Sequence, residues 1–311
     1  MATKKAATPA KGKTTAPPTS KSKAVSTTVK KTEVGEAEDL KAMMTQDSGK
    51  GVSTAAEDNI IPLIYILQAQ SPQCLKQKPE CIKPGIGKNA TAVAGNVWPR
   101  GTKTLIDGEE DGLPVIPVAF SKWWTEWKPN RGGYAGRHAY DSLSETKGRP
   151  EGAELVEDPK KPGKFAWELP SGNNVVETRE HAVLAKIDGT WQGCVVSMSG
   201  SNHTASRTWM GLMKNKKIPG TDKRAPSFAY VYCGRTIPKT NADGDWYGWQ
   251  MEDGMGDGEE TFILDIDGGT DLYKMARQLN DDFMSGKKVA DVPDEPVDNT
   301  SDESDDEDGD I

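Results

Sequence analysis

The sequence predicts a mainly β or α+β core with two helices, held between two disordered ends. Short apolar or alternating runs, rich in β-branched and aromatic residues, recur between clusters of Gly, Pro, Asn and Asp, which is the pattern of strands and turns. Within the core, two stretches switch to the helical period, 203–217 and 270–285. Charge is segregated at the ends: residues 1–31 hold eight Lys and no acid, and residues 291–311 hold eleven Asp or Glu and no base. Neither end has the apolar surface to offset the entropy of ordering.

Residues 1–56 therefore read as a basic tail and linker, 57–288 as the core, and 289–311 as an acidic tail. Without the two charged ends, the formal net charge of −8 becomes −5, close to balance for a core of that size. The four cysteines, Cys74, Cys81, Cys194 and Cys233, form no C-x-x-C pair and have no His at ligand spacing. Neither zinc nor a disulfide framework is indicated, and free thiols fit a reducing cytoplasm. The N-terminus lacks an apolar signal core, and no apolar run is long enough to span a bilayer. The expectation is a cytoplasmic protein with no membrane partner.

In chain order, EAEDLKAMMTQ (36–46) reads as a short helix with its acids early. IIPLIYILQ (60–68) is the first strong apolar run, and Pro62 points to an edge strand or strand entry. Residues 84–100 give a weak strand-turn signal, and LPVIPVAF (113–120) a clear strand whose Pro114 and Pro117 imply an edge or a bulge. In SKWWTEWKPNRGGYAGRHAYD, Trp123 and Trp127 share one strand face and Trp124 takes the other; Arg131, Tyr134, Arg137 and Tyr140 follow among glycines. Residues 142–163 read as an excursion loop, and KFAWELPSGNNVVETREHAVLAKI as a hairpin turning at SGNN. Its second strand runs through Asp188–Gly189 into the strand that begins at Trp191.

Ser199 to Asn202 break that strand and offer an N-cap for a helix from His203 to Lys217. Ala205, Trp209, Leu212 and Met213 form its apolar face, with His203, Arg207, Lys214 and Lys217 opposite. Lys216 falls among the apolar positions, and Gly211 beside the basic stripe permits close approach. SFAYVYCGRTI alternates so that Phe228, Tyr230 and Tyr232 share a face. KTNADGDWYGW is a hairpin, TFILDI a strand, and the last helix buries Leu272, Met275, Ala276, Leu279 and Phe283.

Aromatic rings mixed with cations and glycines suit a single-strand surface, where bases stack on rings and guanidinium groups meet phosphates. The candidate phosphate contacts are Arg131, Arg137, Arg207, Lys214, Lys217, Arg224 and Arg235. The candidate stacking rings are Trp123, Trp127, Tyr134, Tyr230, Tyr232, Trp246 and Trp249, each of which has burial in the core as its alternative. No phosphate loop is present, since Gly85, Gly87 and Lys88 miss the required spacing. Asp265, Asp267 and Asp271 lack the Gly and Glu of a calcium loop, and His138, His181 and His203 sit in no triad motif. No catalytic residue, metal or cofactor is indicated.

The layout resembles the bacterial and bacteriophage single-stranded DNA-binding proteins: a β-rich core with aromatic and basic surfaces, then DVPDEPVDNTSDESDDEDGDI as an acidic tail. That resemblance implies an OB-like β-barrel core and a tail that competes with DNA for the basic groove and recruits replication proteins. Such tails often end in an aromatic residue, whereas this one ends in Ile311, and the lysine-rich N-terminal tail is additional. The implied function is coating of single-stranded DNA in phage replication, recombination or repair, in the host cytoplasm, with a second copy of the chain as a further candidate partner. The alternatives are a virion-associated assembly protein, or a metal-dependent nucleic-acid enzyme using Glu259, Asp265 or Asp267.

Overall fold

In the computed structural model the chain divides into Met1–Ser53 and Thr54–Ile311, and every described residue belongs to the second unit. The described residues are 60–75, 92–102, 104–129, 133–157, 163–241, 244–286 and 289–290. The expected helix at 36–46, residues 1–56 and 291–311, Cys81 and Arg131 lie outside them.

The strands are β1 (Ile60–Ile61), β2 (Leu63–Ile66), β3 (Val97–Pro99), β4 (Leu113–Trp127), β5 (Tyr134–Ala139), β6 (Glu154–Glu157) and β7 (Phe165–Glu168). They continue as β8 (Asn174–Ile187), β9 (Thr190–Ser199), β10 (Tyr230–Asn241), β11 (Gly244–Asp253), β12 (Thr261–Phe262) and β13 (Val289–Ala290). Helix α1 is His203–Asn215 and α2 is Gly269–Met284. The fold is thus mostly β with two helices.

Eleven strands form one sheet in the order β11-β10-β4-β8-β9-β2-β3, with β12 on β10, β5 on β4, and β7 then β6 on β8. β2 and β9 are parallel, while the other pairs in that order are antiparallel. The sheet curls, so β10 meets the chain around β3: Thr236 Oγ1 donates to the Gly95 carbonyl at 2.7 Å and Thr236 N to that of Gly108 at 2.9 Å.

Each face of the sheet is covered by one helix. Trp209, Met213 and Ala205 of α1 pack on Val115, Val183, Val196, Met198 and Tyr232, while Leu272, Ala276 and Leu279 of α2 pack on Ile116, Val118, Leu184 and Val195. A bulge between Pro117 and Ala119 changes the parity of β4. Before it the odd residues face α1; after it Phe120, Lys122 and Trp124 do, opposite His181, Arg179 and Glu177. Beyond the helices, the outer halves of β4 and β8 form an arm with β5, β6 and β7.

Several expectations change. β2 and β4 are both paired on two sides, so the prolines mark no edge; Pro62 stands at the entry to β2 and Pro117 at the bulge of β4. The stretch read as an excursion loop contains β6. Ser227–Ala229 is a 3-10 turn, so Phe228 leaves the face of Tyr230 and packs on Tyr273 instead. Only Thr261–Phe262 of TFILDI is strand, since Ile263–Asp265 forms another 3-10 turn. Met275, placed in the buried stripe of α2, is 41% exposed. The hairpins at SGNN and Asp188–Gly189 form as read; β10 and β11 form the third, but Asn241 pairs with Gly244, so Gly244 belongs to a strand and not to the expected Asp–Gly turn.

Candidate nucleic-acid interface

Helix α1 contains no acidic residue and presents Thr204, Arg207, Thr208 and Lys214 to solvent. It ends at Asn215, so Lys217 lies beyond it, exposed beside Asp222 at 3.3 Å. Lys216 does not snorkel: it is buried against Asp253 at 2.8 Å and Glu260 at 2.7 Å. Burial works to lower its pKa, but those two carboxylates outweigh it and hold the ammonium charged. Asn202 caps a strand rather than the helix, its Oδ1 accepting the Trp249 N–H at 2.9 Å. This ties the start of α1 to β11, where Trp246 Nε1 donates to Ser201 Oγ at 3.1 Å and Lys239 Nζ to the Ser201 carbonyl at 3.2 Å.

At the foot of the arm, on the α1 face, cations gather around one carboxylate. Arg179 Nε lies 3.1 Å and Lys122 Nζ 3.7 Å from Glu177 Oε1, with Lys122 also 4.6 Å over the Tyr140 ring. Burial lowers the Lys122 pKa; Glu177 opposes this, and Arg179 and Lys147 add to it. His203 donates from Nε2 to the Glu177 carbonyl at 3.0 Å. Desolvation depresses its pKa; Glu177 opposes this, and Arg179 and Arg207 add to it. Lys122, Lys147, Arg179 and Arg207 thus outnumber Glu177, and an anion placed there relieves their mutual repulsion.

The sequence-predicted residues divide between this surface and other places. Arg207, Lys214 and Trp246 lie on it, and Lys217 and Arg224 pair beyond the end of α1. Trp123, Trp127, Tyr134 and Arg137 do come together, but on the opposite face of the arm. There Arg137 binds Glu180 at 2.5 Å and sits 5.1 Å over the Trp123 ring, so its charge is already matched by a carboxylate only 1% exposed. Burial pushes the Glu180 carboxyl above its usual range, against the pull of Arg137.

Trp127, Tyr230, Tyr232 and Trp249 belong to the core, where their rings have no open face. Tyr230 and Tyr232 keep the strand alternation but point under α1, with Tyr232 edge-on to Trp209 at 6.1 Å. Arg235 is consumed by Glu252 at 3.3 Å and by the carbonyls of Glu109, Glu110 and Gly256, which makes it a loop clamp. Sequence reasoning missed Lys122, Lys147 and Arg179. Parity along TRE and SKWW was the available signal, but the bulge at Pro117 reverses it.

Other chemistry finds little footing. His181 Nε2 and Ser206 Oγ are 2.8 Å apart, yet both are buried under Phe120 and Trp209, and burial lowers the His181 pKa to about 3. Among the described residues, no three His, Cys, Asp or Glu side chains converge as a metal site, and Glu259, Asp265 and Asp267 are exposed. Cys194 and Cys233 are free thiols, and burial pushes the Cys194 thiol up to about 12. Among the described residues no helix is long and apolar enough to cross a membrane.

Fold and site together define a curled, mostly β protein with a helix on each face and a cation-rich surface on one side. The chain matches the model of the Pam3 phage gp34-like protein family over residues 29–289, and it belongs to that phage family. No curated protein and no solved structure matches it.

Proposed function

We propose that this protein binds single-stranded DNA without enzymatic activity and coats it during phage replication, recombination or repair in the host cytoplasm. The observation that carries the reading is the surface where Lys122 and Arg179 contact Glu177, with Lys147 acting on Lys122 and Arg207 on His203, next to an acid-free α1 and the Tyr140 ring. Clustered cations with aromatic neighbours match a phosphate chain with unstacked bases. The curl of the sheet supports the OB-like part of the reading. Eleven carboxylates in residues 291–311 supply a competitor for the same cations and a handle for replication proteins.

Gel shifts with single- and double-stranded oligonucleotides, with and without magnesium, test this. The expected result is preference for single strands that ignores sequence and magnesium and falls steeply with salt. Charge reversal at Arg207 and Lys214 should weaken binding to all sequences alike and flatten the salt slope by roughly 0.7 per lost phosphate contact. Equal affinity for duplex, or unchanged binding by the reversed variant, would overturn it.

A further inference from the structure

All the aromatic rings of the chain lie among the described residues, and Phe165, at 59%, is the exposed one. It sits on β7, between β8 and β6, whose outer edge is open among the described residues. Cross-strand partners share a face, so the register puts Leu155, Trp167 and Val175 on the α1 side of the arm, and Phe165 follows two residues from Trp167. That is the side carrying Lys122, Arg179 and Tyr140. Arg149 lies 3.4 Å over the Trp167 ring, in the same loop as Lys147, whose carbonyl accepts from Trp124 Nε1 at 3.1 Å. Glu154 and Glu168 face the other way, opposite each other; Glu157 is the cross-strand partner of Phe165 on the α1 side, and its carboxylate accepts the Gly163 N–H at 2.6 Å.

An open phenyl ring beside a guanidinium–indole stack, on the same side as a cluster of cations, complements an unpaired base on a phosphate chain. A second copy of the chain fits the hairpin less well. Glu154 and Glu157 bracket Leu155 and Val156 on the free edge, so antiparallel pairing of two such edges sets carboxylate against carboxylate.

We infer that Phe165 and the Arg149–Trp167 pair form a base-stacking subsite for single-stranded nucleic acid, extending the basic surface onto the β6–β7 hairpin. The inference rests on the single-strand reading above. Its test uses the full chain and the variants Phe165→Ala and Arg149→Ala, titrated with oligothymidylate and with an abasic oligomer of equal length. Phe165 is exposed, so its variant should keep the wild-type thermal melt.

Both variants should bind oligothymidylate roughly 5- to 100-fold more weakly. Phe165→Ala should bind the abasic oligomer as the wild type does, because its phosphate contacts are intact. Wild-type affinity of Phe165→Ala for both oligomers overturns the subsite and leaves the single-strand reading standing. A wild-type chain that binds neither oligomer overturns the reading itself. If sedimentation shows that Phe165→Ala abolishes self-association with no change in DNA affinity, the hairpin is a contact between copies and the subsite is overturned.

Discussion

Gln68 and Tyr247 exchange two hydrogen bonds: Gln68 Nε2 donates to the Tyr247 carbonyl at 3.0 Å, and the Tyr247 N–H donates to Gln68 Oε1 at 2.9 Å. A side-chain amide thereby occupies the place of a strand residue on the outer edge of β11. Because Gln68 lies two residues past the end of β2, the bond pair joins two distant parts of the sheet order and holds its curl. Asn202 Oδ1 accepts the Trp249 N–H two residues on. An edge satisfied in this way is closed to strand addition.

Replacing Gln68 by Ala removes both bonds and should cost about 1–2 kcal/mol. Urea denaturation measures the loss, and hydrogen exchange at the Tyr247 amide should accelerate first. Gln68→Glu should be worse than Gln68→Ala, since it keeps the acceptor but sets a carboxylate against the Tyr247 carbonyl.

Tyr232 is a core residue with no exposure, and its hydroxyl is buried without a hydrogen-bond partner among the described residues. Tyr232→Ala should therefore destabilise the fold by about 3–5 kcal/mol, the range for emptying an aromatic site. Tyr232→Phe removes the unsatisfied hydroxyl and should raise stability by about 1 kcal/mol without altering DNA affinity. A thermal melt paired with a binding titration separates the two effects. Reduced affinity in a well-folded Tyr232→Phe protein would contradict the core assignment.

His181 links stability to pH. Its pKa is about 3 in the folded state and near 6.5 when unfolded, because burial disfavours the imidazolium. Between these values the unfolded chain holds one more proton, so stability falls on acidification, by about 1.4 kcal/mol per pH unit. The contribution is fully present above pH ~6.5 and gone below pH ~3. Urea midpoints of the native protein and of His181→Leu across pH 4–7 check this. The variant should lose this part of the slope.

The carboxylates of residues 291–311 act as a tethered competitor within the single-strand proposal. Deleting them should raise affinity most at low salt, with the gain shrinking as the Debye length falls toward about 8 Å. Deleting residues 1–31, with their eight lysines, should lower affinity. Titrations of both truncations across a salt series decide it; an acidic-end truncation that binds identically at every salt concentration removes autoinhibition from the account.

Local pattern was enough for much of the fold. Alternation, turn residues and the helical period sit in neighbouring positions, so β8, β9, β10, α1 and α2 were legible to within a few residues. The apolar stripe of α1, Ala205, Trp209 and Met213, packs as its periodicity requires. The shared face of Trp123 and Trp127 also follows from period two alone.

What the sequence did not carry was which side of a paired surface meets water. Tyr230, Tyr232 and Trp249 alternate correctly, but α1 lies over them, and a helix docking from a distant part of the chain is not a local property. Arg137 and Arg235 are as cationic in the sequence as Arg207, yet Glu180 and three loop carbonyls claim them first. One extra residue at the bulge after Pro117 moved Lys122 to the α1 face, beside Arg179 and apart from Trp123. Tertiary structure made these decisions because burial and charge pairing depend on contacts between residues far apart in sequence, whereas strand and helix formation depends chiefly on neighbours.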